Sequence, residues 1–471
     1  MPQTLFDKIW DRHVVRNLDD GSSLVYVDRV FLHERTGGVA LTSLAESGRE
    51  VRNPAQVFAT MDHILDTYPG RGDATEVPGG EAFITTMRAT AREAGITLFD
   101  INDPRHGITH LISAEQAITL PGLVVVCPDS HTCTLGALGA IGWGIGTSNC
   151  EHAMATETLR ARKPLQLAVE FSGELANGVT AKDMILYLIG KYSASGAANH
   201  AMEFRGPAIS ALDMEARFTL CNMAVEFSAF TGLIAPDDKT ISYLAGRPYA
   251  PVGDRWDEAV EHWRALRSDD EAEFDKVLSI DVSEVPPTVT WGISPQHAVA
   301  VTAGAPELDT ADSNEQRAEF TQAMDYMGLK PGQPLIGLPI DGAFIGSCTN
   351  ARLSDLRSAA AVLKGRRVAE GVRAICTPAS AQVKQAAEQE GLDQVFTGSG
   401  FEWREPGCSL CFNAGGEGFG PEQRVVSSTN RNFRGRQGPR TRTHLASPAS
   451  VAAAAVAGCI ADVRQYQEAA A

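Results

Sequence analysis

Cys408 and Cys411 stand two residues apart in EPGCSLC (405–411). A C-x-x-C pair can hold zinc, shuttle a disulfide, ligate an iron–sulfur cluster or simply fill space. A structural zinc site needs four ligands, and the chain has no second C-x-x-C to complete one. A redox pair of thioredoxin type opens a helix, but the sequel FNAGGEGFG (412–420) is too glycine-rich for a good helix. Cys348, in FIGSCTNARL, adds a third thiolate. Three thiolates could hold a [4Fe–4S] cluster by three irons and leave the fourth open, whereas electron-transfer clusters take four cysteines. An open metal position is what Lewis-acid catalysis requires. The spacing alone leaves this reading standing beside the plain one, in which buried cysteines act as small hydrophobes; Cys376 and Cys459, in apolar surroundings, are read that way.

The histidines add acid–base capacity. Seven of eleven fall within the first 152 residues. Asp62-His63 and Asp129-Ser130-His131 set an acid beside an imidazole, an arrangement that raises the imidazole pKa and favours a protonated general acid. His106, His152, His262 and His297 read as structural residues. Five arginines lie in SSTNRNFRGRQGPRTRTH (427–444), and those near a strand end suit substrate carboxylates, which guanidinium binds in bidentate fashion. Arg434, Arg440 and Arg442 read equally well as a solvated loop. GWGIGTSNC (142–150) carries Asn149 where a dinucleotide fingerprint wants glycine, so its glycines are assigned to close packing or a tight turn.

These residues need elements to position them. Strand-like and helix-like segments alternate, which points to α/β layers. Five apolar runs end abruptly in polar residues: LVYVDRVF at His33, QVFATM at Asp62-His63, GLVVVC ahead of Asp129, GAFIG ahead of Cys348, and QRVVSST at Asn430-Arg431. Ligands in open α/β sheets bind beyond the carboxyl ends of strands, so five such endings predict one large site assembled from distant segments. Caps place helices after Thr180, Asn350 and Ser447-Pro448. The run 215–227 is also helical in pattern, putting Asn222 and Glu226 four apart on one face. No internal repeat is visible. Proline-marked and acidic stretches suggest boundaries near 164 and 285.

The 471 residues are 44% hydrophobic and 21% charged, ordinary for a soluble globular protein of several domains. The formal net charge of −17 disfavours nucleic acid or an anionic membrane as partner. No apolar run is long enough to span a bilayer, and the N-terminal stretch does not read as a signal peptide. An odd count of nine cysteines argues against a disulfide framework. A cytoplasmic location is the expectation.

In this order, ATMDH, PDSHT, CNMAVE, IGSCTN, PGCSLC and NRNFRGRQG resemble the aconitase superfamily of [4Fe–4S] hydro-lyases, and within it the large-subunit branch of the isopropylmalate dehydratases. The resemblance covers essentially the whole chain. It implies an α/β fold of three α/β/α domains, 1–164, 165–285 and 286–471, around a central cluster. The swivel domain would be a separate small subunit, giving a heterodimer or higher hetero-oligomer. It implies Cys348, Cys408 and Cys411 as cluster ligands, with the fourth iron open to water or substrate. Asp62, His63, His110, Asp129, His131 and Glu226 would form the catalytic network, with Asp62-His63 protonating the departing hydroxyl and Glu226 and Asn222 near the cluster. His33, Ser130, Asn222, Asn430, Arg431 and Arg436 would bind a small dicarboxylic hydroxy acid. The base would be a serine of the small subunit. The implied reaction is the dehydration and rehydration that converts 2-isopropylmalate to 3-isopropylmalate in leucine biosynthesis. The alternatives are a citramalate or dimethylmalate dehydratase, a homoaconitase-type isomerase, a non-catalytic Fe–S carrier, and an RNA-binding protein. HERTGGVAL (33–41) and Cys133-Thr134-Leu135 depart from the usual forms of the branch and bear on the choice of substrate.

Overall fold

The computed structural model describes residues 2–411, 413 and 416–466. The chain divides into two compact units. The first comprises 1–65, 79–173 and 197–281; the second comprises 66–78, 174–196 and 282–471.

The first unit holds two parallel sheets. One runs in the order Thr97–Phe99, Val57–Thr60, Arg29–His33, Val124–Cys127, Ile141–Gly144. Its central strands are buried along nearly their whole length, as parallel strands covered on both faces require. Phe31, Phe58 and Phe99 stack beneath it with Cys127 and Ile112. The other sheet has the order Thr231–Leu233, His200–Arg205, Leu165–Ser172, Lys276–Asp281. A small antiparallel sheet of Val14–Asn17, Ser23–Tyr26 and Thr158–Ala161 completes the unit's strands.

The second unit is built on a parallel sheet of order Phe401–Trp403, Arg373–Cys376, Gly342–Ile345, Arg424–Ser427, Arg442–Leu445. The helix Pro448–Ala457 opens at Ser447, as its Ser-Pro start predicts, and buries nearly every side chain. The helix Ala181–Tyr192 starts at the Thr180 cap, where Asp183 closes a capping box. The helix read after Asn350 begins later, at Leu353, with Arg352 at the cap. The Asn350 amide instead bonds the Asp355 side chain, and Asp355 accepts the Arg352 N–H.

All three parallel sheets share one topology. In chain order the strands lie 3-2-1-4, with a fifth strand beyond the fourth in two of them. The crevice where direction reverses, between the first and fourth strands, is where open α/β sheets bind ligands. In the five-stranded sheets those positions belong to Arg29–His33 with Val124–Cys127, and to Gly342–Ile345 with Arg424–Ser427. Four of the five strand endings singled out above are therefore switch-point strands. The fifth, Val57–Thr60, is their immediate neighbour.

Candidate functional site

In the first unit the three neighbouring strand ends bring their polar residues into one network. Asp62 and His63 follow Val57–Thr60, and His63 Nδ1 lies 2.6 Å from Asp62 Oδ1. His63 Nε2 lies 3.3 Å from Asp129 Oδ2. Asp129, beyond Val124–Cys127, also holds His110 Nε2 at 2.8 Å and accepts the His131 backbone N–H at 2.7 Å. His131 Nε2 lies 2.8 Å from Glu226 Oε1, and Ser130 Oγ lies 3.4 Å from His131 Nδ1. The His33 ring stacks on that of His63 with centroids 4.1 Å apart.

Charge in this network is decided by competition between burial and partners. Burial alone would raise Asp62, but the charge and hydrogen bond of His63 outweigh it and hold the carboxylate well below its usual range. Burial raises Asp129 too, and is overcome by hydrogen bonds from His110, His131 and His63. Burial would neutralise His63, yet Asp62 and Asp129 on either side push it well above its ordinary value. His33 goes the other way: burial, then the charge of His63, push it down to about 4. Two stacked imidazoles thus take opposite states, one cationic and one neutral. His33 Nε2 lies 3.2 Å from the Pro128 carbonyl, and buried Nδ1 has no hydrogen-bond partner among the described residues.

Local backbone explains why the arrangement holds. Asp129 caps the 3-10 turn Ser130–Leu138 that carries His131. That turn lies directly on Ile141–Gly144: a Cβ on Gly142 would stand 2.1 Å from the Thr132 carbonyl oxygen, and one on Gly144 2.6 Å from that of Asp129. Gly142 and Gly144 are required by close approach, as expected for this stretch, whereas Gly146 has open space where a Cβ would stand. The run 215–227 forms an α-helix at Met214–Asn222, then tightens into a 3-10 turn at Met223–Phe227. Glu226 thereby reaches His131, while Asn222 Nδ2 donates to Thr134 Oγ1 at 2.8 Å.

Two contributors were missed in the sequence. Glu34, fully buried, accepts the backbone N–H groups of Asp62 at 3.0 Å and His63 at 2.7 Å and so fixes the turn presenting both. Burial, then the Asp62 charge, raise its pKa. Thr109 donates its N–H and hydroxyl to Asp62 Oδ2, at 2.9 and 3.0 Å. Glu34 had a signal, since it adjoins His33 as Asp62 adjoins His63.

In the second unit Cys348, Cys408 and Cys411 are all buried. Ser347 Oγ lies 3.9 Å from Cys348 Sγ and 3.4 Å from Cys411 Sγ, so one hydroxyl serves both strand-end and C-x-x-C sulfurs. Asn430 Nδ2 donates to Cys348 Sγ at 3.5 Å, and Arg436 Nη2 to Cys411 Sγ at 3.4 Å. Cys411 N–H closes the turn onto the Cys408 carbonyl at 2.9 Å. Three enclosed thiols supplied with N–H and O–H donors fit a cluster held by thiolates, whose potential such donors tune. Arg431 follows Asn430 and is half-buried.

Arg434 and Arg440 are exposed, and Arg442 donates to the Tyr326 carbonyl. Lys182, unnoticed in the sequence, is fully buried and donates to the carbonyls of Ser428 at 2.9 Å and Thr429 at 2.6 Å. It thereby fixes the strand end from which Asn430 projects.

No helix among the described residues is long and apolar enough to cross a membrane. Thermococcus kodakaraensis aconitase X, solved in its holo-form, aligns with a TM-score of 0.47 and 12% identity, covering 87% of this chain and 84% of that one. The 3-isopropylmalate dehydratase large subunit 1 of Bradyrhizobium diazoefficiens is 50% identical over 465 residues, 99% of this chain and 97% of that protein. Residues 7–458 match the Aconitase family (aconitate hydratase). A match of that extent, on a chain whose strand ends carry buried imidazole–carboxylate pairs and three enclosed thiols, establishes that the chain belongs to the aconitase family.

Proposed function

We propose that this chain is the cluster-bearing large subunit of a hydro-lyase that interconverts 2-isopropylmalate and 3-isopropylmalate in leucine biosynthesis. The observation that carries the chemistry is His63, held cationic between Asp62 and Asp129. The Bradyrhizobium relative, half identical over nearly all of both chains, supports the substrate. Three domains, 1–164, 165–285 and 286–471, remain the proposed division, with one parallel sheet in each.

Cys348, Cys408 and Cys411 would hold a [4Fe–4S] cluster, which when bound supplies a Lewis acid for the substrate hydroxyl and carboxylate. His63 donates its Nε2 proton as the hydroxyl departs as water, and recovers a proton when water re-adds. Asp62 keeps the ring oriented through Nδ1, and Asp129 stabilises the cationic form. His110, His131 and Glu226 fix Asp129. Neutral His33 and Ser130 present hydrogen-bonding groups to substrate, and Arg431 and Arg436, with Asn430 and Asn222, take its carboxylates. Elimination also requires a base for the carbon-bound proton. That base is assigned to a small partner subunit, consistent with the relative's designation as a large subunit. A biosynthetic role supports a cytoplasmic location for the complex.

The test is anaerobic co-purification with the small subunit, followed by hydration assays on isopropylmaleate, citraconate and dimethylmaleate. Isopropylmaleate should be hydrated fastest, and the large subunit alone should be inactive. Turnover by the large subunit alone would remove the partner-borne base. Preference for citraconate or dimethylmaleate would reassign the substrate.

A further inference from the structure

The turn carrying Cys408 and Cys411 is held by a carboxylate that is not a cluster ligand. Ser409, between the cysteines, has φ +45°, a left-handed conformation that a non-glycine residue keeps only when its neighbours impose it. Its hydroxyl donates to Glu417 Oε2 at 2.7 Å. The same carboxylate accepts the Thr67 hydroxyl at 2.8 and 2.9 Å and the Thr67 N–H at 2.5 Å. Thr67 is fully buried and the Glu417 side chain is 7% exposed. Arg404 Nη1, 3.7 Å away, supplies the balancing charge, and its guanidinium lies 4.0 Å over the Tyr68 ring.

Other bonds pin the same two segments together. Glu405 N–H donates to the Thr67 carbonyl at 2.7 Å, and Arg71 Nη1 to the Pro406 carbonyl at 2.5 Å. Residues 66–78 therefore form a strap against the C-x-x-C turn, and Glu417 is where strap and turn share one acceptor. Only a carboxylate offers acceptor sites to all these donors; an amide would turn one oxygen into a donor facing donors.

We propose that Glu417 is a positioning residue: by bridging Ser409 to Thr67 it fixes Cys408 and Cys411 in the shape that receives the cluster. The proposal rests on the cluster reading above, but its first readout does not need the cluster. The apo chain, as wild type, Glu417→Ala, Glu417→Gln and Ser409→Ala, is pulse-labelled with iodoacetamide and each cysteine quantified by mass spectrometry. Losing a buried charged hydrogen bond should raise local opening, and with it labelling of Cys408 and Cys411, about tenfold or more in Glu417→Ala. Glu417→Gln, which keeps one acceptor, should fall between that variant and wild type, while Cys348 and Cys376 keep wild-type rates. In the reconstituted enzyme Glu417→Ala should lose iron to a chelator faster by a similar factor. Unchanged labelling of Cys408 and Cys411 would overturn the proposal, as would an equal rise at every cysteine. A wild-type chain that takes up no cluster, with the turn still loosened selectively in Glu417→Ala, would instead sink the cluster reading and leave the clamp standing.

Discussion

Replacing Asp129 by asparagine removes one charge from the centre of the imidazole network while nearly preserving its shape. His63 Nε2 lies 3.3 Å from Asp129 and Nδ1 lies 2.6 Å from Asp62, so the variant keeps one of its two carboxylate partners. A hydrogen bond to a charged group contributes about 1.5–3 kcal/mol, and one pH unit is worth about 1.36 kcal/mol, so the His63 titration should fall by about 1–2 units. Asp129 sits below its ordinary 3.8, so its contribution to stability is present above that value and fades as the pH falls through the lower, folded-state value. His63 sits above its ordinary 6.5, so its contribution is complete below 6.5 and fades as the pH rises through the higher, folded-state value. The pair therefore stabilises most fully between about 4 and 6.5. In Asp129→Asn the acid limb of that profile should flatten, and the alkaline limb, still starting near 6.5, should be smaller and finish at a lower pH. The assay is imidazole NMR titration of His63 in both proteins, paired with the pH dependence of hydration by the assembled enzyme. A His63 midpoint displaced by less than about half a unit in a folded variant would refute the reasoning, because the loss would then be under about 0.7 kcal/mol.

Cys411→Ser should abolish the visible absorbance of the cluster and activity together, as seen by anaerobic spectroscopy and the hydration assay; full activity would refute the ligand assignment. Lys182→Met leaves the carbonyls of Ser428 and Thr429 without their buried donor and should lower stability by about 2–4 kcal/mol, read from urea unfolding midpoints. Gly142→Ala places a methyl group 2.1 Å from the Thr132 carbonyl oxygen and must displace the turn bearing His131. It should cut turnover about a hundredfold or more, with KM measured alongside to show that the loss is in the chemical step.

The strand endings were readable because a parallel strand buried on both faces must be apolar and then stop abruptly where the site begins. Arg29–His33, Val57–Thr60, Val124–Cys127, Gly342–Ile345 and Arg424–Ser427 all show that break. Which strands lie side by side was not readable, since sheet order is set by crossovers that leave no local mark. The endings accordingly fall into a group of three on one sheet and two on another. Glu34 carried the same acid-beside-imidazole mark as Asp62, but its partners are the backbone N–H groups of a distant turn, which sequence does not show; Thr109, which donates its N–H and hydroxyl to Asp62, has no distinctive spacing. Lys182 sits within an ordinary helix start, and only burial distinguishes it from a surface lysine. The late start of the helix at Leu353 reflects competition: Asn350 bonds Asp355, and Arg352 Nη2 donates to the Cys348 carbonyl at 2.7 Å.

The strap at 66–78 also sets an order of events during synthesis. Thr67 meets Glu417 across 350 positions of sequence. At about 5–20 residues per second, a ribosome needs roughly 18–70 s to make the chain between them. Closing a loop of that length costs about 5 kcal/mol of chain entropy, which local contacts cannot offset until the distant partner exists. Until then the nascent strap lacks its acceptor, and a chaperone has an exposed segment to shield. The proposed cluster, with its ligands at Cys348, Cys408 and Cys411, would accordingly be loaded only once the last third of the chain is being completed.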